Sequence, residues 1–378
     1  MRGVQHHPDG VRLHGGGAQP LQVHKLQARR LEDVQLRCNA HSLDLGGSTI
    51  AGCAIDEADF TAAVLTPEQL QTCQRNLTGA GLSELSLQGV DLRGFDLQDC
   101  KLVKSNLTDG CLHGVNLENA DLSDAVCTNA NLKASVLKGC TTTNTKMDGA
   151  DLTVTLITNE QLEAMDRNLS GARLSGLRLT QVQLNGADLT RASLCSADIS
   201  GASFVGAKFA KADLTMATLT GCKFKGADLS SASFTVSELS ALDKDLSGAS
   251  LSSMNLANVD LSGFDLRGCK FATTNLSRAV FRGADVRGCE FVADMVGTDF
   301  TDALTEGATG LDGLEMGVKN TSLDSTMSSG SDDDSKDKRK NKEGRLLQQM
   351  LRLQGSGLSQ DEESSSDSGS EGEGERVG

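Results

Sequence analysis

From Leu77 onward a large apolar residue returns every five positions, through Leu82, Leu87, Leu92 and Leu97 to Leu152 and Ile157, with Cys127 and Thr142 as lapses. Neither regular element accounts for this period. Five helical steps leave successive leucines about 140° apart around the axis, and a straight strand would send them alternately to opposite faces. A chain that turns a corner every five residues presents each central residue to one interior, and four such sides close a coil of about 20 residues.

The positions around the centre obey the same grammar. Two residues before it the side chain is small, as in Ala187, Ala192, Ala197 and Ala202, and period-two geometry points it inward. Between them stands Asp or Asn, as at Asp91, Asp96, Asn106, Asn116 and Asp121, facing outward. Ser, Thr and Gly follow, which suits corners.

This A-[DN]-[LF]-x-x pattern, seen in GADLT at 186–190, GADLS at 226–230 and ENADL at 118–122, resembles the pentapeptide-repeat family over roughly residues 43–300. The resemblance implies an all-β solenoid, a right-handed quadrilateral β-helix, here interrupted by three short helical segments. It also implies a non-catalytic protein-interaction scaffold. Some bacterial members of the family imitate DNA and bind a topoisomerase through an acidic rod, which gives the alternative function.

The five-residue phase breaks three times, between Leu65 and Leu77, Ile157 and Leu169, and Phe234 and Leu246. The intervening segments resemble one another: LTPEQLQTCQRNL, ITNEQLEAMDRNL and FTVSELSALDKDL. Apolar residues at helical spacing (Leu70 and Cys73; Leu162 and Met165; Leu239 and Leu242) predict three short helices, with Thr66, Thr158 and Thr235 as N-caps and Pro67 in a first helical position. An irregular loop is the competing reading. After each break the small slot turns bulky, at Leu85, Val90 and Phe95, at Leu177 and Val182, and at Met254, Val259 and Phe264. Each helix is therefore expected to cap a solenoid section whose end is plugged by large side chains.

The expected organisation is a poorly ordered segment at 1–43, leading repeats at 44–65, helix-plus-repeat sections at 66–157, 158–234 and 235–300, a cap or linker at 301–327, and a disordered acidic tail at 328–378.

Composition fits a thin core: there is no Trp or Tyr and there are only 3 Pro among 378 residues. The net charge of −15 argues against binding a phosphate backbone, so no direct nucleic-acid binding is expected. No apolar run reaches a membrane-spanning length, and the first residues lack a secretory apolar stretch. An intracellular location, cytoplasmic or nuclear, is expected, with an organelle transit peptide over 1–37 as the alternative. Of the 11 Cys, six (Cys53, Cys100, Cys140, Cys222, Cys269, Cys289) occupy the small inward slot and read as thiol core filler, with Cys269 stacked against Cys289.

Candidate chemistry is sparse. The evenly spaced Asp residues follow from the repeat and single out no acid–base pair, and no phosphate-binding, dinucleotide or EF-hand motif occurs, so no catalytic, cofactor or metal residues are assigned. His6, His7, His14 and His24 lie in a Gly-rich start, which accounts for them better than a metal site does. In the tail, KDKRKNK at 336–342 resembles a nuclear-import patch. Leu346, Leu347, Met350 and Leu351 share one helical face that could dock in a partner groove. Ser329, Ser331, Ser359, Ser364, Ser368 and Ser370 each have an acidic residue three positions on, the pattern favoured by acid-directed kinases. Protein partners are expected, while their identity and the oligomeric state are not written in the sequence.

Overall fold

A computed structural model of the chain describes residues 50–51, 54–55 and 57–312, together with two short strands near the N-terminus. Those strands, β1 (Gln5–His7) and β2 (Gly10–Arg12), pair antiparallel. Cys53, the other expectations for 1–43 and the tail at 328–378 lie outside the described residues.

Every five-residue side uses its backbone in the same way. The N–H of Leu77 donates to the carbonyl of Asp96 one coil on (2.8 Å), and the N–H of Asp96 donates back to Arg75 (2.8 Å). The chain then turns: Ala80 N–H donates to Leu77 O (2.9 Å), and the residue before it, Gly79, has φ +71°. A left-handed residue in the third turn position is the mark of a type II turn. Non-glycine residues such as Glu84 (φ +59°) and Asp99 (φ +59°) fill the same position, because the ladders on either side hold the turn.

Bridges 20 residues apart define four faces. The first runs through Asn76, Asp96, Asn116, Val136 and Leu156; the second through Gly81, Lys101, Asp121 and Thr141. The third contains Ser86, Asn106, Val126 and Lys146, and the fourth Asp91, Cys111, Asn131 and Asp151. Inside lie the central residues and the small slots, forming one hydrophobic cluster from Ile50 to Leu311. Each buried leucine contributes about 1.5–3 kcal/mol, and the repetition makes a narrow core sufficient.

The three helices form where predicted: α1 (Pro67–Thr72), α2 (Asn159–Ala164) and α3 (Val236–Ser240). Thr66, Thr158 and Thr235 are the N-caps, each within a reciprocal capping box with Gln69, Gln161 or Glu238.

The helices do not cap separate sections, as the sequence led us to expect. Bridges cross every helix at a spacing of 22 residues: Asp59 to Gly81 past α1, Asp151 to Arg173 past α2 and Asp228 to Ser250 past α3. Traced through the ladders, α1 lies on the fourth face, α2 on the second and α3 on the first. The surviving bridge is always on the opposite face. Two extra residues thus widen the coil only on the helix side, and Leu70, Leu162 and Leu239, each at most 1% exposed, supply the missing core residue. Val90, Val182 and Val259 follow these leucines by one coil length and are buried. Their bulk fills the widened cross-section of a continuous solenoid and does not plug an end.

A fourth irregularity was not anticipated. After Phe291 one side has four residues, so bridges thereafter span 19: Asn275 to Asp294, Val280 to Asp299, Asp285 to Leu304 and Glu290 to Thr309. With one turn residue lost on the second coil, the corner becomes the parallel strands β3 (Lys270–Asn275) and β4 (Glu290–Asp294), and β3 keeps its left-handed Thr273 (φ +56°) as a bulge between Ala272 and Thr274. Coil stacking continues beyond residue 300 through Leu304 and Thr309.

Candidate interaction faces

The outward Asp and Asn residues have a local task. Their side-chain oxygen accepts the N–H two residues on, as in Asn76 to Thr78 (3.0 Å), Asp121 to Ser123 (2.9 Å), Asp228 to Ser230 (3.0 Å) and Asp299 to Thr301 (2.9 Å). This Asx-type bond caps the turn, so Asp and Asn are interchangeable there and much of the acidic composition is structural. The cost of these bonds to protonation is visible. Side-chain and backbone bonds from Arg93 hold the Asp91 carboxyl at about 2, and bonds from Thr301 together with Arg282 hold Asp299 at about 2. The Asn-Leu-Ser/Thr triplets at Asn76, Asn106, Asn168 and Asn275 belong to the same caps.

Among the described residues no face is a uniform acidic surface. Aspartates on the faces are interleaved with bases: Lys208 pairs with Asp188 (3.2 Å), Lys225 with Asp245 (3.4 Å), Arg267 with Asp265 (2.6 Å) and Arg287 with Asp285 (2.6 Å). Bases at the helix corners also have fixed tasks. Arg167 donates to Asn185 O (2.8 Å) and Lys244 to Ser262 O (3.1 Å), each clamping the helix exit to a turn of the next coil. Arg75, the equivalent residue after α1, reaches Gly94, where an added Cβ would lie 3.0 Å from its guanidinium. These clamps were not read from the sequence, although the shared basic residue in QRNL, DRNL and DKDL was a usable signal.

The inward cysteines are thiols with hydrogen bonds. Cys100, Cys222, Cys269 and Cys289 donate to the carbonyls of Leu77, Ile199, Leu246 and Leu266, at 2.8 to 3.0 Å. Thr145 and Thr155 make the same bond to Leu122 and Leu132, both at 2.8 Å, so thiol and hydroxyl are equivalent fillers. Burial pushes Cys100 and Cys222 up to about 12, and the neighbouring Cys289 together with burial raises Cys269 as well. Thiolate nucleophiles are disfavoured at Cys100, Cys222 and Cys269.

The expected tail features (Ser329, Ser331, Ser359, Ser364, Ser368 and Ser370, and the face of Leu346, Leu347, Met350 and Leu351) lie outside the described residues. Among the described residues no group of three His, Cys, Asp or Glu side chains could hold a metal ion, and no helix is long and apolar enough to cross a membrane.

No curated protein matches this chain. Among solved structures, it is similar to HetL, a pentapeptide repeat protein involved in heterocyst differentiation regulation in the cyanobacterium Nostoc, at 23% identity, covering 77% of this chain and 92% of HetL with a TM-score of 0.18. It is similar to full-length QnrB1, a plasmid-mediated fluoroquinolone resistance protein, at 14% identity over 52% of this chain and 90% of that one, TM-score 0.19. A pentapeptide repeat protein of the Arabidopsis thaliana thylakoid lumen matches at 25% identity over 33% of this chain and 66% of its own, TM-score 0.15. The family model for pentapeptide repeats matches in 8 copies, over residues 80–119, 116–153, 168–204, 197–235, 245–283 and 260–292. With that match spread over half of its length and four five-residue ladders on each coil, the chain belongs to the pentapeptide-repeat family and folds as its right-handed β-helix.

Proposed function

We propose that the chain is a non-catalytic scaffold whose β-helical faces hold protein partners at fixed spacings. The observation that carries this reading is the unbroken core from Ile50 to Leu311, which continues past all three helices and so keeps the outward side chains in register across them. A surface of this kind offers many small contacts along one direction, as in other solenoids. The test is affinity capture from the native cell with the full chain and with a chain lacking 328–378. Partners retained by both place binding on the β-helix, and partners lost with the tail place it on the serine-rich segment and the Leu346, Leu347, Met350 and Leu351 face. Capture of no protein by either would sink the reading.

The alternative, DNA mimicry toward a topoisomerase, needs one contiguous acidic face. The interleaved Lys and Arg partners and the turn-capping role of the aspartates argue against it. A supercoiling assay is expected to show no inhibition, and potent inhibition would reverse the ranking of the two readings.

A further inference from the structure

Along the corner between the third and fourth faces the left-handed turn position reads Asn129, Gly149, Gly171, Arg191 and Lys211. Two consecutive glycines leave these two positions without side chains of their own; the Asn129 carboxamide reaches over Gly149, 2.1 Å from where its Cβ would be, and Gly171 stays bare. The result is an open trough of about 590 Å³ with Gly149, Ser170 and Gly171 as its floor. Asn129 and Asp148 stand at one end, Arg191 and Lys211 at the other.

The two ends differ in how their charge is met. Asp148 accepts the hydroxyl of Thr128 (3.0 Å). Arg191 and Lys211 are one coil apart, roughly 4.8 Å along the stacking direction, and among the described residues neither has a carboxylate within ion-pair distance. Asp188, also in the trough wall, is engaged by Lys208 (3.2 Å) and by the N–H of Thr190 (3.0 Å). The same molecule shows how a stacked basic pair is otherwise neutralised: Arg267 and Arg287, also one coil apart, each bind their own aspartate at 2.6 Å. Among the described residues the Arg191–Lys211 pair lacks that provision, and it borders the bare floor at Gly171.

We propose that this trough docks an extended acidic peptide segment of a partner protein, its anionic side chain seated between Arg191 and Lys211. The bare floor at Gly171, where an added Cβ would meet only the Gly149 backbone at 3.7 Å, lets a peptide backbone approach closely, and Asp148 favours a neutral or basic residue at the other end. Two to three coil spacings separate the ends, about 10–14 Å, so the peptide's acidic and basic positions should lie about three or four residues apart in extended chain. This deepens the scaffold reading and rests on it.

The test uses the full chain and fluorescein-labelled peptides of sequence KGAGEE, its phosphoserine form KGAGpSE, and the neutral KGAGQQ, followed by anisotropy at low and at physiological salt. Both acidic peptides should bind, and the neutral one at least tenfold more weakly. The double variant R191E/K211E should lose at least tenfold, whereas K104E/K133E, with the same charge change elsewhere, should stay within about twofold. Glutamate is tolerated in the left-handed position, which Glu57 and Glu84 already occupy, and an unchanged thermal melt would verify folding. No binding by either acidic peptide, or equal loss in the two double variants, overturns the trough. Partner capture that survives R191E/K211E would do so too, while leaving the scaffold reading intact.

Discussion

The coils of residues 77–157 and those of 246–311 obey one grammar with two chemistries. In the first, the core is a leucine ladder whose small slots include buried hydroxyls. Ser105 and Ser135 donate to carbonyls three residues back (2.7 and 2.6 Å), and Thr145 and Thr155 to carbonyls on the previous coil. Its corners carry neutral amide-to-carboxylate rungs: Asn119 to Asp99, Asn129 to Asp109 and Asn144 to Asp124, each 3.2 Å. In the second, phenylalanines stack along the axis, Phe271 on Phe291 and Phe281 on Phe300, both with centroids 4.8 Å apart, and the outer rungs are Arg–Asp forks. The fold is therefore set by slot geometry and by satisfaction of each polar atom. Among the described residues no buried side-chain polar atom lacks a partner. A slot accepts Ala, Cys, Ser or Thr alike when the polar one can reach a carbonyl.

The largest separation between the two regions should come from their cores. Phe281 meets the rings of Phe271, Phe291 and Phe300 at 4.8 to 6.2 Å, edge-on to the first two and stacked on the third. Replacing it with Ala is expected to cost about 3–5 kcal/mol. Leu122→Ala in the first region should cost about 2–5 kcal/mol and stay local. Urea denaturation gives the magnitudes, and hydrogen exchange shows the spread. Equal magnitude with equally local exchange would mean that the aromatic stack adds nothing beyond volume.

The next prediction runs against the repeat pattern. Thr142 holds a central position where Leu is usual, so Thr142→Leu should look like a repair. It is instead expected to destabilise by about 1–3 kcal/mol, because the Thr142 hydroxyl donates to Gln161 O of α2 (2.6 Å) in a buried site. Gln161 itself donates to Leu137 O and to Cys140 O. Thr142→Val, close in shape, should lose nearly as much. A gain in melting temperature for either variant would show that the helix docks without this bond.

Glycines in the first region allow a finer comparison. Gly139 and Gly114 share φ near +69°, but a Cβ on Gly139 would lie 2.3 Å from Asn119 Oδ1, and one on Gly114 would meet nothing within 4 Å. Gly114→Ala should therefore show the left-handed strain alone, about 1 kcal/mol. Gly139→Ala should exceed it by displacing the Asn119 rung, and equal melting temperatures would remove the rung from the account.

What the sequence could and could not reveal divides along the same physical lines. The leucine period, the small slots and the helix caps were legible because each is a local rule repeated many times, as Thr66, Thr158 and Thr235 illustrate. The continuity of the solenoid was not, because it depends on which face keeps its bridge: the spacing of Asp151 and Arg173 is a long-range register that no local pattern states. The lapse at Thr142 looked like noise until α2 supplied its acceptor. The four-residue side after Phe291 had one faint signal, nine residues between Phe291 and Phe300 where ten would keep phase. As for the trough, its glycines followed the ordinary corner pattern, and only the ion pairs of Arg267 and Arg287 made Arg191 and Lys211, without a carboxylate partner among the described residues, informative.

The smallest expected effect is electrostatic, and it titrates. Hydrogen bonds from Arg267 and Arg287 hold Asp265 and Asp285 below the usual carboxylate range, and Asp299 sits at about 2. Their folded values lie below the unfolded one, about 3.9. Between the two the unfolded chain binds more protons, so the stabilisation is fully present above pH about 4 and is lost as pH falls toward 2. In the first region Asn106, Asn116 and Asn131 fill three of the equivalent slots and cannot titrate, while Asp151, against the pull of burial, is lowered by its bonds from Thr153 and Asp91 is held at about 2 by Arg93. These pairs are largely exposed, so the gain is modest and screened by salt. The double variant D265N/D285N should keep its turn caps, because Asn275 already caps the same kind of turn through Ser277 N–H (3.0 Å). Its melting temperature should therefore fall slightly at pH 7, by the loss of the forks alone, and should fall less than that of the parent chain between pH 4 and pH 2. An unchanged acid slope would mean that the Arg–Asp forks stabilise the folded coil no more than the asparagine caps of the first region do.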